Sequence, residues 1–327
     1  MSDSNNKDDK INGKIDSAIG SLRGLVGELE ESYWVPLLST PFDGLNEMLE
    51  GMKPDGTPLE QPFRSFVSNL ESAKNLLEFP YLLLAPLLLE GTDMGHRIVE
   101  NKMQSKSGDF TLFADTDADV DFASQVMEAV LRGSKHHLVG KSEILNRLMH
   151  QACLLAWSAY ENFCKDVFIH SLNKRPDLYG VILKNQNLKE RFSISQAAWP
   201  NLLERAGYDL VGKLGTIIGS DKDFSSPQLL KDLFPILFSE YSGDEGFFKI
   251  IQSHELWVLG NRRHLIAHRC GVVDADYMRK CDDSTQKIGQ LLTLRGRDIG
   301  QSLGIVAAAA MSLYAVARRC WMTPPED

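Results

Sequence analysis

The sequence predicts an all-α protein. Apolar residues recur at three- and four-residue spacing through several long stretches, β-branched alternation is nearly absent, and no internal repeat appears. The chain has 327 residues, 43% of them hydrophobic and 24% charged, enough to bury one large core or two modest ones without disulfides.

In chain order, residues 1–10 are polar and charged and read as disordered, with no apolar segment of the kind a secretory signal needs. Ile15, Ile19, Leu22, Val26 and Leu29 predict an amphipathic helix over about 11–32. Pro36, Pro41, Pro54, Pro58 and Pro62 with Gly51 and Gly56 then predict a loop-rich connection before a helix from about Phe63 to Leu77. The run from Phe79 to Leu89 is apolar, but it is only eleven residues long and broken by Pro80 and Pro86, too short for a bilayer core of about 30 Å. Residues 107–121 have the composition of a short strand and an acidic loop. A helix of about Val120–Leu131 follows, and Gly133–Gly140 is the candidate domain boundary.

The strongest helical signal is Ser142–Leu172. One stripe runs through Ile144, Leu148, Ala152, Leu155, Ala159, Phe163 and Val167, and a second through Leu145, Met149, Ala156, Tyr160 and Phe168. So wide an apolar face predicts a helix central to a bundle, with Ser142 as its N-cap. Shorter helices are expected at about 196–206 and 227–239. A long one is expected at Gly246–Ala267, stopped by Gly271, and Asp274 is placed to cap another at about 275–292. The last, about Asp298–Trp321, has a small-residue centre from Ala307 to Ala310 that permits close packing. The expected organisation is a smaller, acidic, mainly helical region over 11–140 and a larger helical domain over 141–327.

The net charge of −9 argues against a protein that coats nucleic acid. The acidity is uneven, however: residues 1–140 hold 12 basic and 23 acidic side chains, residues 141–327 hold 23 and 21. The C-terminal part can therefore carry a local basic site. Cys153, Cys164, Cys270, Cys281 and Cys320 are odd in number and include no Cys-x-x-Cys pair, which fits reduced thiols in a cytoplasmic protein.

The stretch from Asn261 to Asp274 places Arg262, Arg263, Arg269, His264 and His268 near the end of one helix. A guanidinium holds and neutralises a phosphate, and an imidazole moves a proton near neutral pH. Together they suffice to cleave RNA without a metal or other cofactor. Gly246–Gly271 resembles the signature helix of the HEPN superfamily, all-α domains whose RNase members carry an Arg-x4–6-His motif near a helix end. The match is Arg263 to His268, followed by a similar Gly-x-Val-Asp tail at Gly271, Val272, Val273 and Asp274; Arg262 also fits the looser spacing. His264 stands where the family often has Asn. The helix 142–172 resembles the earlier HEPN helix, on which a polar residue faces the site, here Glu161. The likeness covers about residues 141–320 and says nothing of 1–140.

What the resemblance implies is a metal-independent endoribonuclease in a toxin, antiphage-defence or stress-response setting. Its RNA substrate would be cut in a cleft shared by two copies of the chain. The acidic N-terminal helices would regulate it, recognise a protein partner or restrict access to the site, and the short, broken apolar run predicts no membrane span. In that scheme His268 transfers the proton, Arg263 binds the scissile phosphate, and Arg262, His264, Arg269 and Glu161 assist. Five residues on an ideal helix turn through about 500°, leaving Arg263 and His268 about 140° apart. Either the helix ends near Ala267, or the two groups meet across a dimer interface.

Other readings of the same residues stay open. The arginines also suit a solvated helix C-terminus, where the macrodipole favours positive charge. His264 and His268 are spaced to share a metal, with only His254 and Cys270 nearby as further ligands. Glu161 precedes Lys165 by four residues, the spacing of an exposed helix pair. Asp117, Asp119, Asp121 and Glu128 fit calcium-loop positions, but Phe122 occupies the place that needs Gly. Trp157, Trp199, Trp257 and Trp321 read as core rather than base-stacking residues. The competing function is a non-enzymatic helical module that binds a protein or a nucleotide.

Overall fold

A computed structural model describes residues 56–77, 141–241 and 245–322. The expectations for 1–10, 11–32, 79–89, 107–131, the calcium-like loop and the 133–140 boundary fall outside them. The chain divides into two compact units, residues 1–35 with 75–148 and residues 36–74 with 149–327. The second unit contains the arginine- and histidine-rich stretch 261–274.

The described residues are all-α, with no strand beyond one isolated antiparallel bridge between Val272 and Leu291. Helix α1 spans 60–77. Then come α2 (Lys141–Lys174), α3 (Leu178–Lys184), α4 (Gln186–Phe192), a 3-10 turn (Gln196–Ala198), α5 (Trp199–Arg205), α6 (Leu214–Gly219) and α7 (Pro227–Leu237). The series ends with α8 (Glu245–Ile251), α9 (His254–Arg269), α10 (Ala275–Cys281) and α11 (Gly296–Met322).

Helix α2 is the spine, as its periodicity predicts. Ala152, Ala156, Trp157, Tyr160, Phe163, Cys164, Val167 and Phe168 are buried along it. Leu155, placed on the first stripe by spacing, is instead 42% exposed, because the buried face follows the second stripe more closely. The helix already includes Lys141, so Ser142 lies inside it rather than capping it. Phe63 of α1 stacks on Tyr314 of α11 at 4.6 Å and meets Phe163 edge-on at 5.6 Å. Residues before the expected boundary thus complete the aromatic core of the C-terminal helices. Among Trp157, Trp199, Trp257 and Trp321, only Trp157 is wholly buried, and its indole N–H donates to the Ser225 carbonyl. The other three are half-buried.

The helix expected over 246–267 is two helices. Ser253 breaks the run at φ −62°, ψ 148°, and its hydroxyl caps α9 by accepting from the Leu256 N–H at 3.3 Å. Asp274 caps α10 as expected, accepting from Tyr277 N–H at 2.8 Å, but α10 has seven residues rather than eighteen or so. It stops at Asp282, which adopts a left-handed conformation open to Asp at modest cost. Gly260 sets how closely α9 packs: a Cβ there would lie 2.7 Å from both Trp157 and Pro227. Helix α11 packs on α8 and α9, and Ala307, Ala309 and Ala310 in its small-residue centre are buried. Residues Asp298–Met322 are long and apolar enough to cross a membrane, but 56% of their most apolar 18-residue stretch is buried inside the protein.

Candidate functional site

The C-terminal half of helix α9 presents three arginines and two histidines to three different surroundings. Arg262 and Arg263 are partly buried, whereas His264, His268 and Arg269 are exposed. The helix runs unbroken through Arg269. Cys270 follows in the left-handed region at φ 53°, and the N–H groups of Cys270 and Gly271 both donate to the Leu265 carbonyl. The helix therefore does not end near Ala267, and Arg263 and His268 keep the divergence of about 140° expected for one helix.

Arg262 is held by a structural network. Its guanidinium donates to Tyr277 Oη and to Asp283 Oδ2, both at 3.4 Å, and Tyr277 Oη donates to the same Oδ2 at 3.1 Å. Burial works against the Asp283 carboxylate. Hydrogen bonds from Thr285 and Tyr277 and the charge of Arg262 outweigh it and hold its pKa below the usual carboxylate range. Burial is also what pushes the Tyr277 hydroxyl well up.

Arg263 instead meets Glu161 of α2. Its Nη2 lies 3.4 Å from Glu161 Oε2, so the structure brings together two of the residues singled out in the sequence. Lys165 does not close the helix pair with Glu161; its ammonium donates to the Ser220 carbonyl at 2.7 Å. The Glu161 carboxyl is raised above its ordinary value, first by burial. Arg263 pulls it down, Asp223 pushes it up and Lys165 pulls it down. At 3.4 Å the ion pair is long, and its attraction does not offset the lost solvation. A phosphate arriving here would compete with Glu161 for the guanidinium, which retains donors beyond this one contact.

His264 and His268 lie side by side on the exposed face, their rings tilted by 47° with centroids 4.6 Å apart. Partial burial lowers the pKa of His264, reinforced by His268, Lys280 and Arg263 and opposed by Asp276. Arg269 reaches Asp274 at 3.6 Å, the arginine largely in solvent and the aspartate partly buried. Cys270 is exposed and the other four cysteines are buried, all as free thiols. Among the described residues no three or more His, Cys, Asp or Glu side chains gather to hold a metal. Because the macrodipole leaves negative character at a helix C-terminus, anion binding here has to come from the guanidinium charges.

The tail after the motif is pinned to α2. His150 is buried, and its Nε2 donates to the Leu292 carbonyl at 2.8 Å, beside the Val272–Leu291 bridge. Gly271, at φ 79°, makes room for that imidazole: a Cβ would lie 2.7 Å from His150 Cε1. The spacing of the sequence marks the arginines and histidines of α9 but carries no sign of Asp223, Tyr277, Asp283 or His150 as their neighbours. No protein-family model, curated protein or solved structure matches the chain.

Proposed function

We propose that the chain is a metal-independent endoribonuclease of HEPN type. The carrying observation is that Arg263 meets Glu161 across the two long helices while His268 stands exposed five residues on along α9. Arg262 is the other arginine at suitable spacing, and its bonds to Asp283 and Tyr277 fit a structural part. Arg263 is therefore assigned to the scissile phosphate.

An RNA 2′-hydroxyl sits beside its own phosphate, so the protein needs only to align it, remove its proton and stabilise the charge that develops. His268 would move the proton as general base or acid. Arg263 would bind the phosphate and the phosphorane-like transition state, with His264 and Arg269 as auxiliary contacts and Glu161 orienting the guanidinium. The products are a 2′,3′-cyclic phosphate and a 5′-hydroxyl. Since the two groups diverge on one intact helix, a cleft built from two copies would supply Arg263 from one and His268 from the other. A cytoplasmic toxin, defence or stress-response role, with a protein that restrains cleavage, is the setting this activity suits.

The test is incubation of purified wild-type and His268→Ala protein with total cellular RNA in EDTA, with end-group analysis. Cleavage leaving cyclic phosphate ends, reduced on the order of 100-fold or more in the variant, is the expected outcome. Cleavage unchanged by the substitution would remove His268 from the mechanism. Inactivity of both proteins would favour the second reading, a helical module that binds a protein or nucleotide. The solvated, dipole-matched arginines at the end of α9 are what favour that reading.

A further inference from the structure

We propose that His264 and His268 form an exchangeable two-imidazole site for a transition-metal dication, Zn²⁺ in the first instance, on the exposed face of α9. The two residues are four apart on a helix that is continuous to Arg269, so they lie about 40° apart in projection and one turn apart along the axis. Two histidines at this spacing are the pair that helical zinc sites use. Both rings are exposed, and their centroids are 4.6 Å apart. Tetrahedral zinc with bonds of about 2.0–2.1 Å needs two nitrogens about 3.3 Å apart. Rotation of two solvent-facing imidazoles about their own side-chain torsions reaches that separation without moving the backbone.

The charges around the pair are mixed: Lys280 and Arg263 oppose a cation and Asp276 favours one, so the two imidazole lone pairs have to supply the binding. The groups acting on His264 are His268, Lys280, Arg263 and Asp276. Lys280 is ion-paired to Asp276 at 2.7 Å, Arg279 engages the same carboxylate, and Arg263 is paired with Glu161. Metal binding needs the neutral ring with its lone pair. Imidazole nitrogens select zinc, copper or nickel over magnesium or calcium. With no third protein ligand gathered among the described residues, the remaining positions are left to water or to an incoming oxyanion. Such a site exchanges its metal rather than relying on it for folding. A metal held by the His268 lone pair would also block proton transfer there, a consequence that rests on the nuclease reading, whereas binding itself does not.

The experiment is calorimetric titration of Zn²⁺ alone into the full chain at neutral pH, without RNA. Wild type, His264→Ala, His268→Ala and Cys270→Ser are compared, with helicity measured for each. The expected result is one Zn²⁺ equivalent in the wild type. Its affinity should fall at least about tenfold, or 1.4 kcal/mol, in each histidine variant and hold in Cys270→Ser. The proposal is overturned if the wild type binds no Zn²⁺, if the equivalent survives either histidine substitution, or if Cys270→Ser removes it. Imidazole proton NMR of the wild type, in which Zn²⁺ should shift two histidines together, gives the same reading without a substitution. Because neither measurement uses RNA, failure of the metal site and failure of the nuclease reading are told apart.

Discussion

At the scale of single residues, neighbouring arginines of α9 have different work. Arg262 and Asp283 have side chains only 14% and 11% exposed, and removing one partner leaves the other charge poorly solvated. Arg262→Ala should therefore lower stability by about 2–3 kcal/mol in urea unfolding. Arg263→Ala should cost less stability and more RNA cleavage. The reverse ranking would exchange their assignments. Glu161 gives a pH dependence whose sign follows from its raised pKa. The folded state holds this proton more tightly than the unfolded chain, so stability falls as pH rises through the unfolded value of 4.5 toward the folded one. Unfolding measured across that window should show a shallower fall in Glu161→Gln, where the side chain keeps its shape and cannot ionise; an unchanged slope would assign the titration elsewhere.

At the scale of elements, Gly260 fixes the approach of α9 to α2 and α7. Gly260→Ala would press a methyl group against Trp157 and Pro227, both at 2.7 Å. The cost should be about 1–3 kcal/mol in denaturant unfolding, the range for overpacking a close-fitted core. A neutral result would mean that the Trp157 indole gives way. The long helices were legible because each buries a face that repeats over many turns, as in α2 from Ala152 to Phe168. The interruption between α8 and α9 was not, since apolar spacing from Phe247 to Leu265 continues across it and a single serine cap decides the break. Helices α3, α4 and α6 span six or seven residues, too few for periodicity to show. The site divides in the same way. Arg263 and His268 share one local motif, and Glu161 entered through the HEPN resemblance. Asp223, Tyr277, Asp283 and His150 join them through tertiary packing that no local spacing records.

At the scale of the whole molecule, the intact course of α9 makes assembly part of the proposed chemistry. If Arg263 and His268 act across two copies, Arg263→Ala and His268→Ala proteins, each inactive, should recover part of the wild-type RNA cleavage when dissociated and reassociated together. A mixture as inactive as its components would place both groups of one site on the same chain. The apolar C-terminal helix belongs at this scale too. Ala307, Ala309, Ala310 and Leu313 are buried, and the helix packs on α8 and α9, so much of the apolar surface that would suit a membrane is used inside the protein.

The hydrogen bond from His150 to the Leu292 carbonyl joins positions 142 residues apart. Seen in time, the contact cannot form until the ribosome has delivered that whole interval, about 7–28 s of synthesis at 5–20 residues per second. The clasp behind Gly271 is therefore among the late contacts of the nascent chain, and closing so long a loop is slow compared with forming a helix. The rest of α2, and then Arg263 and His268, are therefore synthesised before the clasp that holds the tail after them can close.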